Sequence, residues 1–465
     1  MTTVLAPSPT DTRMTGRGKA VLVVLLLAQF MLAVDFSILN VALPVIGDGL
    51  GFTLANLQWI ATGFALAAAG FTLLAGRVAD LFGRRRLFIG GMAALGIASL
   101  VGGLATTPEI LLTARVVQGL ATAVVTPAGL ALLTTSFPEG PMRSKALGLN
   151  GALMSAGFTT GAILGGLLTD LLSWRWAFFI NVPVAAAVLI AAPMLITESR
   201  SAVRKLDVPG AITVTGGLLA IVYALTVAGE HGFTDPLALG SFALGAVLLV
   251  VFWFAEKRSA APLVPVGILK RRTVIWGNLA GLIAFATETS LVFLMTLYLQ
   301  EVLGYSALAT GLAFGVLGAG TVVGGVMGAR VIARIGTRSA LVWGLAVQAV
   351  ATASLVLLGA DRGWLTLLLA ATFLGGVGNM VAIVGFMVTA TSGLPDGEQG
   401  LATGLATMTQ QVGITMGIPV MSAIVAARTL GGADVLGGVG TAVLVNAALV
   451  LAAAGVVGVM LRTKR

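Results

Sequence analysis

Gly76-Arg77-Val78-Ala79-Asp80-Leu81-Phe82-Gly83-Arg84-Arg85-Arg86 is a charged interruption between two apolar runs, 54–75 and 87–106. Each run is about the 20 residues that a helix needs to cross a hydrocarbon core. The same alternation continues in both directions and yields fourteen candidate helices: 20–45, 54–75, 87–106, 109–135, 146–170, 175–196, 208–229, 236–255, 273–299, 306–329, 339–359, 363–393, 400–427 and 437–461. Composition agrees, because 58% of the residues are hydrophobic and 10% charged, where a soluble domain carries about 25% charged residues. An all-α polytopic membrane protein is expected, with the lipid bilayer as its solvent.

Of 27 basic residues, 23 fall in the N-terminal tail, alternate loops and the C-terminal tail; Arg175, Arg362 and Arg428 face the other side and Arg115 lies within a span. The positive-inside rule then puts both termini in the cytoplasm of a cell-membrane protein. The basic residues never gather on one continuous face, so the net charge of +9 does not indicate a nucleic-acid partner. With no Cys and a single His, His231 in an outer loop, the chain lacks the residues for a disulfide or a Cys/His metal site. No metal, cofactor or phosphate-binding loop is expected, and no nucleophile and base stand at a spacing that suggests an enzyme.

The segment recurs in worn form at 329–339, where Arg330, Gly336 and Arg338 match Arg77, Gly83 and Arg85 at an offset of 253. The same offset carries Asp35 onto Glu288, and these are the two acids placed within candidate spans. Two repeated six-helix bundles follow, 20–196 and 273–461, joined by 197–272 with two additional helices, with tails 1–19 and 462–465.

The 76–86 segment resembles the signature between the second and third helices of the major facilitator superfamily through Gly76, Asp80, Gly83, Arg84 and Arg85. Three further stretches resemble its fourteen-helix drug:proton antiporter branch, which includes actinobacterial antibiotic exporters: Asp35 to Pro44, Arg115-Val-Val-Gln118-Gly119, and Ser173 to Pro183 with Asn181. The resemblance implies the major facilitator fold, proton coupling at Arg115, and a cytoplasmic latch in the loop that includes Arg77. It also implies a sealing role for the helix-five glycine face of Gly157, Gly161, Gly165 and Gly166, although Ala162 stands where the family has proline.

An ionised side chain at mid-membrane must be paired, hydrated by a cavity, or neutralised by a proton. Asp35 and Glu288 are therefore candidates for proton or cation binding, against a purely structural, hydrogen-bonded role. Arg115 needs a counter-charge whatever its role. Gln29, Asn40, Gln118, Gln410 and Gln411 can offer hydrogen bonds to a substrate or glue helices together. The expected function is a monomeric proton-coupled exporter of a small amphipathic or cationic molecule, an antibiotic or several drugs. A proton-coupled importer of a metabolite and a non-transporting sensor or scaffold are the alternatives.

Overall fold

The computed structural model describes residues 14–52, 57, 59–137, 141–200, 207–259, 262, 267–392 and 396–461. The tail as far as residue 13, the last four residues, parts of the linker, and the side chain of Gln411 lie outside the described residues. Among the described residues there is no strand. The helices are α1 (Gly16–Leu50), α2 (Trp59–Phe82), α3 (Arg84–Gly103), α4 (Pro108–Ser136), α5 (Pro141–Leu171), α6 (Asn181–Leu195), α7 (Val208–His231), α8 (Pro236–Arg258), α9 (Arg272–Leu297), α10 (Ala307–Ile335), α11 (Thr337–Ser354), α12 (Leu365–Thr391), α13 (Asp396–Leu430) and α14 (Val435–Met460).

Twelve spans within this set are long and apolar enough to cross a membrane, and α2, bent by 52° between Thr72 and Leu74, makes thirteen if counted as one. The expected fourteen spans are thus not all present by that measure. The bend in α2 falls where the Thr72 hydroxyl donates to the Ala68 carbonyl at 2.5 Å, a contact that bends helices. The expected span 175–196 is divided at Ile180, with a helical turn, Trp176–Phe179, ahead of α6.

The expected loop at 76–86 is a correction: helix runs to Phe82, stops for Gly83 alone, and restarts at Arg84. Gly336 interrupts α10 and α11 in the same way. Gly83 has φ 124° and Gly336 φ 79°, a region costly for residues with a Cβ. Charge does not end these helices; the change of backbone sign does.

Helix α1 packs along α5, α2 and α3 along α4, α9 along α13, and α12 along both α10 and α11, while α7 and α8 pair with each other. Helix α7 also touches α2 and α13. The buried apolar side chains show how the halves meet. At one end a single cluster combines Ile38, Leu43, Ile46 and Trp174 from the first half with Leu294, Leu299, Leu303 and Ile418 from the second. At the Gly83 end the clusters are separate, one built on Leu25, Phe88 and Leu132, the other on Ala284, Leu341 and Phe386. The halves share a core at one end and part at the other.

Candidate functional site

Five helices converge on Asp35. Its carboxylate and the Arg115 guanidinium are buried, with Nη1 of Arg115 3.4 Å from Oδ2 of Asp35. Gln118 joins them: its Oε1 accepts from Arg115 Nη1 at 2.9 Å, and its Nε2 donates to Asp35 Oδ1 at 3.1 Å and to Ser99 Oγ at 2.8 Å. Asn181 Nδ2 also donates to Asp35 Oδ1. Arg115 Nε donates to the Ile60 carbonyl at 3.0 Å, and its guanidinium lies 4.2 Å from the Phe64 ring centroid, a cation–π arrangement.

The spacing in α4 explains the assembly. Residues three apart share a helix face, so Arg115 and Gln118 present their polar ends together. Gly119 lets α2 approach, since a Cβ there would meet Ala67 Cβ at 2.9 Å and the Phe64 backbone carbon at 3.0 Å. That approach brings the Ile60 carbonyl within reach of Arg115. Each residue of the Arg-x-x-Gln-Gly stretch thereby has a separate contact.

At the end of the bundle away from Gly83, Arg175 staples the end of α3, donating to the Ala105 carbonyl at 2.7 Å and the Gly103 carbonyl at 3.4 Å. Around Gly83, Asp80 pairs with Arg84 at 2.8 Å and has no ion pair with the second half among the described residues. Glu198, not singled out from the sequence, accepts from the Arg85 and Arg86 backbone N–H groups at 3.0 and 3.2 Å. It thus caps the positive end of α3. Arg77 is half-buried, and Gly76 lies against Pro127, with 3.3 Å between a Cβ there and Pro127 Cβ.

The glycines of α5 divide between two partners. A Cβ on Gly157 would meet the Phe30 carbonyl at 2.8 Å, one on Gly161 the Val34 carbonyl at 2.6 Å, and one on Gly165 the Ile38 carbonyl. These three press α5 onto the stretch of α1 that holds Asp35. Gly166 instead meets Ala307 of α10, in the other half. In the second half Gly413 and Gly417 of α13 close on the Leu282 and Ala286 carbonyls of α9, beside Glu288. The sequence reading missed this second pair.

Glu288 is half-buried and has no hydrogen bond or ion pair among the described residues. It is not part of the Asp35 cluster. Gln29 donates to the Thr126 carbonyl at 3.1 Å, so its amide serves helix packing. Asn40 is buried with its Nδ2 unbonded, and Gln410 is half-buried. Asn181, Ser99 and Glu198 complete the clusters; Asn181 was legible only as part of a resembling stretch, and Ser99 and Glu198 carry no local signature.

The fold is that of solved transporters: a nucleoside transporter, NupG, aligns with a TM-score of 0.65 at 14% identity over 96% of this chain and 100% of that one. The human organic anion transporter MFSD10 aligns with a TM-score of 0.62 at 16% identity over 95% of this chain and 100% of that one. Among relatives, the puromycin resistance protein pur8 of Streptomyces alboniger is 40% identical over 87% of this chain and 81% of its own length. The cephamycin export protein CmcT of Amycolatopsis lactamdurans is 36% identical over 93% of this chain and 90% of its own. The family model described as Major Facilitator Superfamily matches residues 25–418. With its spans, its fold and its relatives in agreement, the chain is a multi-span membrane transporter that belongs to the major facilitator superfamily.

Proposed function

We propose that this protein is a proton-coupled exporter, a drug:proton antiporter acting on an antibiotic-like amphipathic or cationic molecule by alternating access. The observation that carries this reading is the contrast between two intramembrane acids. Asp35 is locked to Arg115, while Glu288 is half-buried and has no partner among the described residues. A proton taken up on Asp35 frees the guanidinium to find another partner, which gives the cluster two arrangements. A proton or cationic substrate at Glu288 replaces a missing counter-charge. Relatives named for puromycin resistance and cephamycin export support an antibiotic as cargo.

The basic residues put the Gly83 end and both termini in the cytoplasm. The separation of the two cores there supports reading this as an inward-open arrangement. In it Asp80 pairs only within its own half, as a latch belonging to the outward-open state would. We read α5 as the fourteenth span, residues 20–196 and 273–461 as two six-helix bundles, 197–272 as the linker with α7 and α8, and the protein as a monomer. The test is proton release from energised inside-out vesicles on adding puromycin, β-lactams or cationic dyes. Release abolished by both Asp35→Asn and Glu288→Gln supports antiport; cellular accumulation of a metabolite with no such release would establish import instead.

A further inference from the structure

Glu288 has no partner of its own, yet the helix that carries it is held by three amides from three other helices. Gln348 of α11 donates to Thr287 Oγ1 at 3.0 Å. Asn446 of α14 donates to the Thr287 carbonyl at 3.0 Å and to Ser290 Oγ at 2.9 Å. Asn379 of α12 donates to the Ala284 carbonyl at 3.0 Å. All three amides are buried.

These bonds fall on two successive turns that bracket Glu288. Residues in a helix advance about 100° each, so Glu288, half-buried, lies one step around from Thr287 at the edge of the held face. On the other flank Gly417 admits α13 to 2.7 Å between a Cβ position and Thr289 Oγ1. Helix α9 is therefore gripped on both sides of the acid, and its rotation and depth are set by groups that do not touch the acid itself.

The amides are costly to bury. Oε1 of Gln348 and Oδ1 of Asn379 and Asn446 accept no hydrogen bond among the described residues, and each unsatisfied buried polar atom costs about 1–3 kcal/mol. Apolar side chains would pack these helices without that cost. The donors stand on helices of the same order in each half as those that build the Asp35 cluster: Ser99, Arg115 with Gln118, and Asn181 are on α3, α4 and α6, and Gln348, Asn379 and Asn446 on α11, α12 and α14. The first half places its acid by direct contact. The second places its helix and leaves the acid open.

From this geometry we infer that Gln348, Asn379 and Asn446 are positioning residues for Glu288, setting its orientation and exposure and hence the pH at which it exchanges its proton. This rests on the reading of Glu288 as a coupling acid. Among the described side chains no charge competes for that role: on the elements packed against α9 the charges outside α1 are Lys270, Glu301, Arg338 and Arg428, all at or near helix ends, while Arg17, Lys19 and Asp48 lie toward the ends of α1 and its Asp35 is committed to Arg115.

The test is the pH profile of equilibrium binding of a fluorescent cationic dye to the purified protein, a readout that needs no proton release, for Gln348→Met, Asn446→Leu and the milder Asn446→Ser, each also in a Glu288→Gln background. The expected result is a midpoint moved by about 0.5 pH unit or more in the single variants, with Asn446→Ser intermediate, and no movement by any of them once Glu288 is Gln. Variants that lose only yield or affinity, with the midpoint unmoved, would overturn the inference, as would equal midpoint shifts with and without Glu288. A Glu288→Gln protein with the wild-type profile would overturn the underlying reading and this inference with it. Poor folding of Asn446→Leu leaves the decision to Asn446→Ser and Gln348→Met.

Discussion

Arg115 and Asp35 meet 3.4 Å apart beyond the reach of solvent, and Gln118 touches both. Removing one member of a buried pair leaves the other charge uncompensated, at about 3–5 kcal/mol. Arg115→Met should therefore lower thermal stability sharply and abolish transport, whereas Arg115→Met with Asp35→Asn should recover much of the stability and none of the transport. Melting curves of the purified variants beside vesicle transport separate the two effects. Equal instability of the single and double variants would contradict the pairing.

Close packing of α5 on α1 sets a second expectation. Gly161→Val places a Cβ 2.6 Å from the Val34 carbonyl oxygen and should cost about 1–3 kcal/mol by overpacking. Because Val34 adjoins Asp35, transport should fall more than folded yield. Gly455→Ala, with nothing within 4 Å of the new atom, is the control and should be near neutral in the same melting assay.

Asp170 at the end of α5 accepts from the Leu308 backbone N–H at 3.0 Å, joining the halves across their shared core. A carboxylate at a helix N-terminus is worth about 0.3–1 kcal/mol, so Asp170→Asn should shift the balance toward opening at this end by about two- to five-fold. The chain has no cysteine, so Leu303→Cys, at a buried position of that core, offers a unique thiol. Its labelling by a membrane-impermeant maleimide should quicken by the same factor in the Asp170→Asn background, and an unchanged rate would deny the cap any gating weight.

Glu198 caps α3 just beyond Gly83. Glu198→Ala should cost about 0.5–2 kcal/mol and loosen the α3 start, read as faster amide exchange at Arg85 and Arg86. Asp80→Ala, which removes only the pair with Arg84, should leave those amides protected.

The chemistry of the chain alone settled the solvent and the helical class, and the resemblance of its motifs pointed to the family. A run of about 20 apolar residues has one stable state in lipid, with its backbone bonds satisfied inside the helix. The offset of 253 was equally legible, and Gly83 and Gly336 share their backbone sign across it. Its local meaning was not: the segment expected as a loop is two helices around one glycine, because charge outside the bilayer does not end a helix. Tertiary structure decided the rest. Asn181 and Gln118 reach Asp35 from positions 146 and 83 residues away in sequence, Ser99 holds Gln118 from α3, and only the packing of α4 and α6 on α1 and of α3 on α4 brings them together. It also separated the two acids that looked equivalent, pairing Asp35 with Arg115 and leaving Glu288 unpaired. A hydrogen bond is made or lost over a few tenths of an ångström, and sequence spacing cannot resolve that between helices.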